Sequence, residues 1–253
     1  MNWALITGAT SGFGKAIAEK LASDKMNVIL TGRRLDRLNE ISAQIQKEYK
    51  VQSRVLNFDV SSWESCENKF AEIADIAPDI EVLVNNAGLA LGVDKVQTGN
   101  VQDWDAMIDT NIKGLMYMTR LVLPYMVEKN SGHIVNIGSV AGRWTYPGGA
   151  IYSATKFAVR GFTESLRMDL MGKKIRVTNI APGMAETEFS EVRTGDKAKA
   201  KKVYEGMTPL SPKDIAESVS WCVQRPKHVN ISELVIYPTD QVGVGPSYTH
   251  RQS

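Results

Sequence analysis

The chain has 253 residues, 43% hydrophobic and 23% charged, the composition of a globular protein that can bury a sizeable core, which excludes disordered and fibrous classes. With 30 basic and 28 acidic residues the net charge is +2, so neither a nucleic-acid nor a membrane surface is indicated, and the expected partner is a small molecule. The two cysteines, Cys66 and Cys222, sit in helical patterns and suit free thiols in a reducing compartment, while His133, His228 and His250 have no ligand spacing, so no metal site is expected.

The opening stretch MNWALITGAT reads as a strand entering a turn rather than as a targeting peptide. The most apolar long segment, GLMYMTRLVLPYM, is interrupted by Arg120 and Pro124 and is no membrane span. A cytoplasmic location is expected. Along the chain, strands are predicted at 3–7, 27–31, 53–58, 81–85, 133–138, 176–181 and 233–237, and helices at about 12–23, 34–49, 62–76, 102–129, 150–172 and 211–224. Continuous apolar strands alternating with amphipathic helices predict one α/β domain over 1–253, a doubly wound seven-stranded parallel sheet with helices on both faces. No linker, repeat or low-complexity tract divides it. The least regular part, 183–210, is charged and Lys-rich, and it follows the carboxyl end of a strand, where such sheets place ligand-covering lids.

Between the first strand and the first helix lies Thr7-Gly8-Ala9-Thr10-Ser11-Gly12-Phe13-Gly14. Glycines there let the backbone approach a pyrophosphate, and the helix N-terminus supplies unpaired N–H groups and a dipole of the right sign. The spacing Gly-x-x-x-Gly-x-Gly is a variant of the common dinucleotide loop. At the end of the second strand an acidic residue would receive the ribose 2′-hydroxyl of NAD, but Gly32-Arg33-Arg34 stands there instead. Two guanidinium groups suit a 2′-phosphate, so NADP is the expected cofactor.

In GGAIYSATKFAVRGF, residues 148–162, Tyr152 and Lys156 lie four apart on one helix face. A free phenol with pKa near 10 is a poor acid-base group at neutral pH, and a nearby ammonium favours its phenolate. Alone, such a pair is far more often a solvated helix face.

Joined in order, however, Thr7 to Gly14, Asp59-Val60, Asn85-Asn86-Ala87-Gly88, Asn111, Ser139, Tyr152-x-x-x-Lys156 and Pro182-Gly183 resemble the short-chain dehydrogenase/reductase family along essentially the whole chain. The resemblance implies a Rossmann fold and an NADP(H)-dependent oxidoreductase acting on CH–OH groups. It implies that Gly8, Thr10, Ser11, Gly12, Phe13 and Gly14 cradle the cofactor, that Asp59 and Val60 hold the adenine, and that Asn86, Ala87, Gly88, Pro182, Gly183 and Thr187 line the nicotinamide side. It further implies that Ser139 hydrogen-bonds the substrate oxygen, that Tyr152 is the general acid-base, that Lys156 lowers its pKa and holds the nicotinamide ribose, and that Asn111 supports a proton relay to Lys156. After Pro182-Gly183 the family usually has an aliphatic pair and then threonine, whereas here Met184-Ala185-Glu186 precedes Thr187, which leaves a smaller wall at Ala185.

Finer features, Gly88-Leu89-Ala90-Leu91-Gly92, Thr187-Glu188-Phe189-Ser190-x-Val192-Arg193 and His228-Val229-Asn230-Ile231, are similar to the branch of NADP-dependent 3-hydroxy acid dehydrogenases, with serine dehydrogenases and malonic semialdehyde reductases. Small anionic substrates follow from that resemblance. Arg193 on the lid is the expected anion anchor, with Arg143 and Tyr146 as further substrate contacts. A sulfonate fits an arginine fork equally, which leaves sulfoacetaldehyde reduction open beside 3-hydroxy acid chemistry. A non-catalytic NADP-binding sensor is the reading from a different class, and the presence of Asn111, Ser139, Tyr152 and Lys156 together speaks against it. The family further implies a homotetramer, with the tail 242–253 reaching a neighbouring subunit.

Overall fold

The computed structural model describes residues 2–244. Seven strands form one parallel sheet: β1 (Trp3–Ile6), β2 (Asn27–Gly32), β3 (Ser53–Asn57), β4 (Ile80–Asn85), β5 (Gly132–Ile137), β6 (Ile175–Pro182) and β7 (Glu233–Ile236), in the order β3-β2-β1-β4-β5-β6-β7. The helices are α1 (Gly12–Ser23), α2 (Leu35–Tyr49), α3 (Trp63–Ala71), α4 (Val101–Ile108), α5 (Leu115–Lys129), α6 (Ala150–Asp169), α7 (Glu188–Thr194), α8 (Lys197–Val203) and α9 (Pro212–Val223). β1 is the hub. Its alternate side chains serve opposite faces: Ala4 and Ile6 meet Ile17, Leu21, Leu38, Ile215 and Val219, whereas Trp3 and Leu5 meet Met118, Val122, Ile134 and Val177. Most side chains of both clusters are almost fully buried, and each fully buried aliphatic side chain contributes about 1.5–3 kcal/mol. The central strands therefore need the continuous apolar runs that the sequence carries.

The chain leaves β3 and crosses to β4 on the far side of β1, so the carboxyl ends of β1 and β4 flank the point where strand order reverses. Ligands of such sheets bind in that crevice. Among the described residues no helix is long and apolar enough to cross a membrane, and no group of His, Cys, Asp or Glu is placed to hold a metal.

Three expectations change. The helical stretch predicted at 62–76 ends at Ala71, followed by turns into β4. The single helix expected at 102–129 is α4 and α5 joined by a π-helical turn, Asp109–Gly114. Such turns insert a residue into the helical ladder and occur often at functional sites. The segment 183–210, expected to be irregular, contains α7 and α8. Thr187 caps the first through Phe189 N, and Asp196 caps the second through Ala198 N and Lys199 N. Of the predicted tail, residues 245–253 lie outside the described part.

Candidate active site

The glycine loop opens where β1 ends. Gly8 and Gly12 have φ of +67° and +51°, conformations that a side chain would strain, and a Cβ at Gly14 would lie 2.2 Å from the Gly8 carbonyl oxygen. Asn86 clamps this loop from β4: its Nδ2 donates to the carbonyls of Thr7 (2.8 Å) and Gly8 (3.2 Å), while Thr7 Oγ1 accepts from the amides of Asn86 and Ala87, both at 2.9 Å. Ser11, the N-cap of α1, is extended and makes no side-chain cap, which leaves the first amides of the helix uncapped by it.

From here a cleft of about 950 Å³ runs along the carboxyl edge of the sheet. One end is basic: Arg33 pairs with Asp59 at 3.5 Å, and Arg34 donates to Thr10 Oγ1 (2.6 Å from Nη2) and Ser11 Oγ (2.8 Å). Burial raises the Asp59 carboxyl, but hydrogen bonds from Ser61 and the Arg33 charge outweigh it and hold the pKa below the ordinary value. Gly8, Thr10, Ser11, Gly12, Phe13, Asp59, Val60, Asn86, Ala87 and Gly88 all line the cleft, as do Pro182, Gly183 and Thr187 across it. A basic end, a phosphate-sized glycine turn at a helix N-terminus and a volume at the upper end of the range for ligand sites together fit an NADP molecule.

At the opposite end sit the acid-base groups. Ser139 terminates β5 and accepts from Ala141 N at 3.1 Å, which folds residues 140–142 into a tight turn. A Cβ at Gly142 would be 2.6 Å from the Lys156 carbonyl oxygen, so this turn presses directly on α6. Tyr152 is half-buried and hydrogen-bonded to Ser139; desolvation and Tyr146 raise its pKa above 10, opposed by that bond and by the Arg193 charge. Lys156 donates to Ile137 O at 2.9 Å, its Nζ lies 5.8 Å from the Tyr152 ring centre, and burial lowers its pKa to about 8. Lys156 was expected to lower the phenol pKa; its ammonium lies near the Tyr152 ring but is bonded to the strand carbonyl, and the cation whose field lowers that pKa is Arg193.

Asn111 lies in the π turn. Its Nδ2 donates to Leu89 O (2.8 Å) and Thr155 Oγ1 (3.0 Å), and its Oδ1 accepts from Leu89 N (2.8 Å). Thr155 in turn donates to Tyr152 O. The extra residue of the turn thus places an amide between the loop after β4 and the helix turn that carries Tyr152 and Lys156.

Among the expected substrate contacts, Arg193 and Tyr146 reach the cleft. The Arg193 guanidinium carbon stands 5.3 Å from the Tyr146 ring centre and 6.0 Å from that of Tyr152. Arg143 does not join them. It is held by Glu233 of β7, a half-buried carboxylate that also takes a hydrogen bond from Asn179, and it lies outside the cleft lining. Contacts that the sequence pattern left unmarked are Phe189, whose ring centre is 5.6 Å from that of Tyr152; Tyr204, which donates to Ala185 O; Gln241, which accepts from Met184 N; and Glu188 with Arg37. Phe189 and Arg193 stand four apart on α7, a spacing that marks one helix face.

Residues 2–198 match the family model for short chain dehydrogenases. The chain belongs to this family. It is an NADP-dependent oxidoreductase. It is 48% identical over 249 residues, 98% of both chains, to the NADP-dependent 3-hydroxy acid dehydrogenase YdfG of Salmonella typhi. It is also 46% identical, over 94% of both chains, to sulfoacetaldehyde reductase 2 of Chromohalobacter salexigens. Among solved structures, a closed serine dehydrogenase complexed with NADP+ superposes with a TM-score of 0.91 at 47% identity, covering 99% of this chain and 100% of the other.

Proposed function

We propose that this NADP-dependent oxidoreductase interconverts a small anionic hydroxy compound and its aldehyde or ketone, with a 3-hydroxy acid of the serine or 3-hydroxypropionate type as the substrate. The observation that carries this is Arg193, a cation lining a largely apolar cleft, with its guanidinium carbon 6.0 Å from the Tyr152 ring centre. An anion one or two atoms from the reacting carbon would meet the guanidinium while its oxygen lies at Tyr152. The similarity over nearly the whole chain to relatives named for 3-hydroxy acids and for serine supports the reading.

Bound NADP(H) supplies or accepts the hydride. In reduction, Ser139 and Tyr152 hydrogen-bond the carbonyl oxygen, and Tyr152 gives its proton to the alkoxide as charge develops. Lys156, with its proton held in a dry site at a pKa near 8, restores the phenol and binds the ribose. Asn111 braces the helix turn beside Lys156 through its bonds to Leu89 and Thr155, the place from which it would support a proton relay to Lys156. Arg33 and Arg34 receive the 2′-phosphate, and Thr187 the carboxamide. Arg143 has no substrate role in this scheme, because Glu233 holds it.

A sulfonate substrate is the second reading, favoured by the sulfoacetaldehyde reductase relative, and an arginine fork recognises either anion. NADPH consumption with malonic semialdehyde and with sulfoacetaldehyde, and NADP+ reduction with serine, separate the two. Activity with neutral aldehydes alone rejects both, and tight NADPH binding without turnover on any of them indicates a sensor. We also assign a homotetramer located in the cytoplasm; Phe157 and Met168 on α6 are exposed apolar side chains suited to a subunit contact, and sedimentation velocity tests it.

A further inference from the structure

We propose that Glu188, the first residue of lid helix α7, is a cofactor-specificity residue: its carboxylate occupies the guanidinium groups that take the 2′-phosphate, so the phosphorylated cofactor must displace it. The inference rests on the placement of the 2′-phosphate at Arg33 and Arg34. Glu188 Oε2 accepts from Arg34 Nη1 at 3.1 Å and Oε1 from Arg37 Nη1 at 2.8 Å, bridging the lid to the first turn of α2. The remaining nitrogens of Arg34 are committed to the glycine loop, Nε and Nη2 to Thr10 Oγ1 and Nη2 to Ser11 Oγ. One edge of this guanidinium thus faces the loop, while its free donor Nη1 is held by a lid carboxylate. Glu188, Arg34, Thr10 and Ser11 all line the cofactor cleft.

The charge count decides the direction of the effect. Asp59 and Glu188 offset two of the three charges on Arg33, Arg34 and Arg37. A phosphate bearing about −1.5 to −2 at neutral pH is a stronger and bidentate acceptor for the same fork than a half-exposed carboxylate. Two anions close to one arginine pair repel each other, so phosphate binding drives Glu188 off and loosens α7 at its N-terminal end. A cofactor without the 2′-phosphate leaves the bridge intact. The acid therefore weakens NADP(H) binding in absolute terms and couples lid position to the identity of the nucleotide.

The test uses the whole protein and two fragments that differ in one group, adenosine 2′,5′-bisphosphate and adenosine 5′-phosphate, with dissociation constants measured by calorimetry for wild type, Glu188→Gln and Arg34→Gln. Glu188→Gln is expected to tighten the bisphosphate about fivefold, the scale of a surface ion pair, and to leave the monophosphate nearly unchanged. In wild type the bisphosphate, and not the monophosphate, is expected to speed tryptic cleavage at the lid lysines Lys197 to Lys202; in Glu188→Gln cleavage is fast without ligand. Equal shifts for both fragments, or weaker bisphosphate binding in Glu188→Gln, overturn the proposal. If Arg34→Gln fails to weaken the bisphosphate relative to the monophosphate, the phosphate placement falls and the proposal with it. If Arg34→Gln does weaken it while Glu188→Gln moves both fragments alike, the competition alone is wrong.

Discussion

Lys156 is buried, fixed to a strand carbonyl and stripped of water, whereas Arg34 at the other end of the same cleft is half exposed and bonded only to side chains. The first arrangement shifts a pKa, because removing water from a charge costs far more than any surface contact returns. The second is held only weakly, since exposed pairs are screened and contribute about 0–1 kcal/mol each. On the proposed roles, acid-base chemistry falls where the sheet and α6 hold the groups in place, and nucleotide selection falls where weak, exchangeable charges can regroup.

Breaking the buried end should give the largest effect. Tyr152→Phe should retain NADPH binding and lose at least ~100-fold in kcat, the floor for a removed acid-base group, as read by stopped-flow and fluorescence titration. Near-normal turnover would dissolve the contrast between the two ends. Next in size is Lys156→Met, which should raise the ligand-free stability at pH 7 by roughly 1–2 kcal/mol: each unit of pKa depression costs about 1.4 kcal/mol, and loss of the bond to Ile137 O offsets part of the gain. Between the native value of about 8 and the unfolded value near 10.5 the unfolded chain binds the extra proton, so wild-type stability rises with pH and the advantage of the variant shrinks there. Urea denaturation across pH 6–10 reads it, and a variant less stable than wild type at pH 7 would show that the cation is not under strain.

Arg193→Ala probes the middle of the cleft. KM for an acidic substrate should rise about tenfold or more, the scale of a hydrogen bond to a charged group, with little change for a neutral aldehyde of the same size. Equal changes on both would remove the anion anchor. The smallest expected effect sharpens the comparison at its exposed end: raising ionic strength from about 0.05 to 0.5 M should weaken NADP+ binding severalfold while kcat at saturation stays constant, because screening acts on exposed charges first. A salt-dependent kcat with unchanged binding would reverse the assignment of the two ends.

The strands were legible because buried parallel strands must be apolar throughout, and Trp3, Leu5, Ile29 and Val82 advertise that in runs. The glycine loop was legible because it follows β1 and opens α1; Ser139, Tyr152 and Lys156 were singled out by the family resemblance, through the order and spacing of its motifs along the chain. Side-chain direction was not legible. Arg143 follows Ser139 closely, yet its partner Glu233 lies 90 residues on, and nothing local announces that β7 will carry a half-buried carboxylate beside it. The π turn was hidden for another reason: DTNIKG keeps the helical look of its neighbours, and only the packing of Asn111 against Leu89 shows the inserted residue. Likewise the bridge from Glu188 to Arg37 spans 151 positions and leaves no periodic trace.

The isolated bridge between Ala185 and Leu210 ties the two stems of the lid together at its base. What lies beyond is a closed excursion whose ordering entropy grows only with the logarithm of its length, about 0.6 kcal/mol per doubling. A change of length in the outer part of that excursion therefore costs the fold little. Because Phe189 and Arg193 lie within it against Tyr152, grafts meant to alter substrate range should keep α7 and vary the stretch from Gly195 to Thr208.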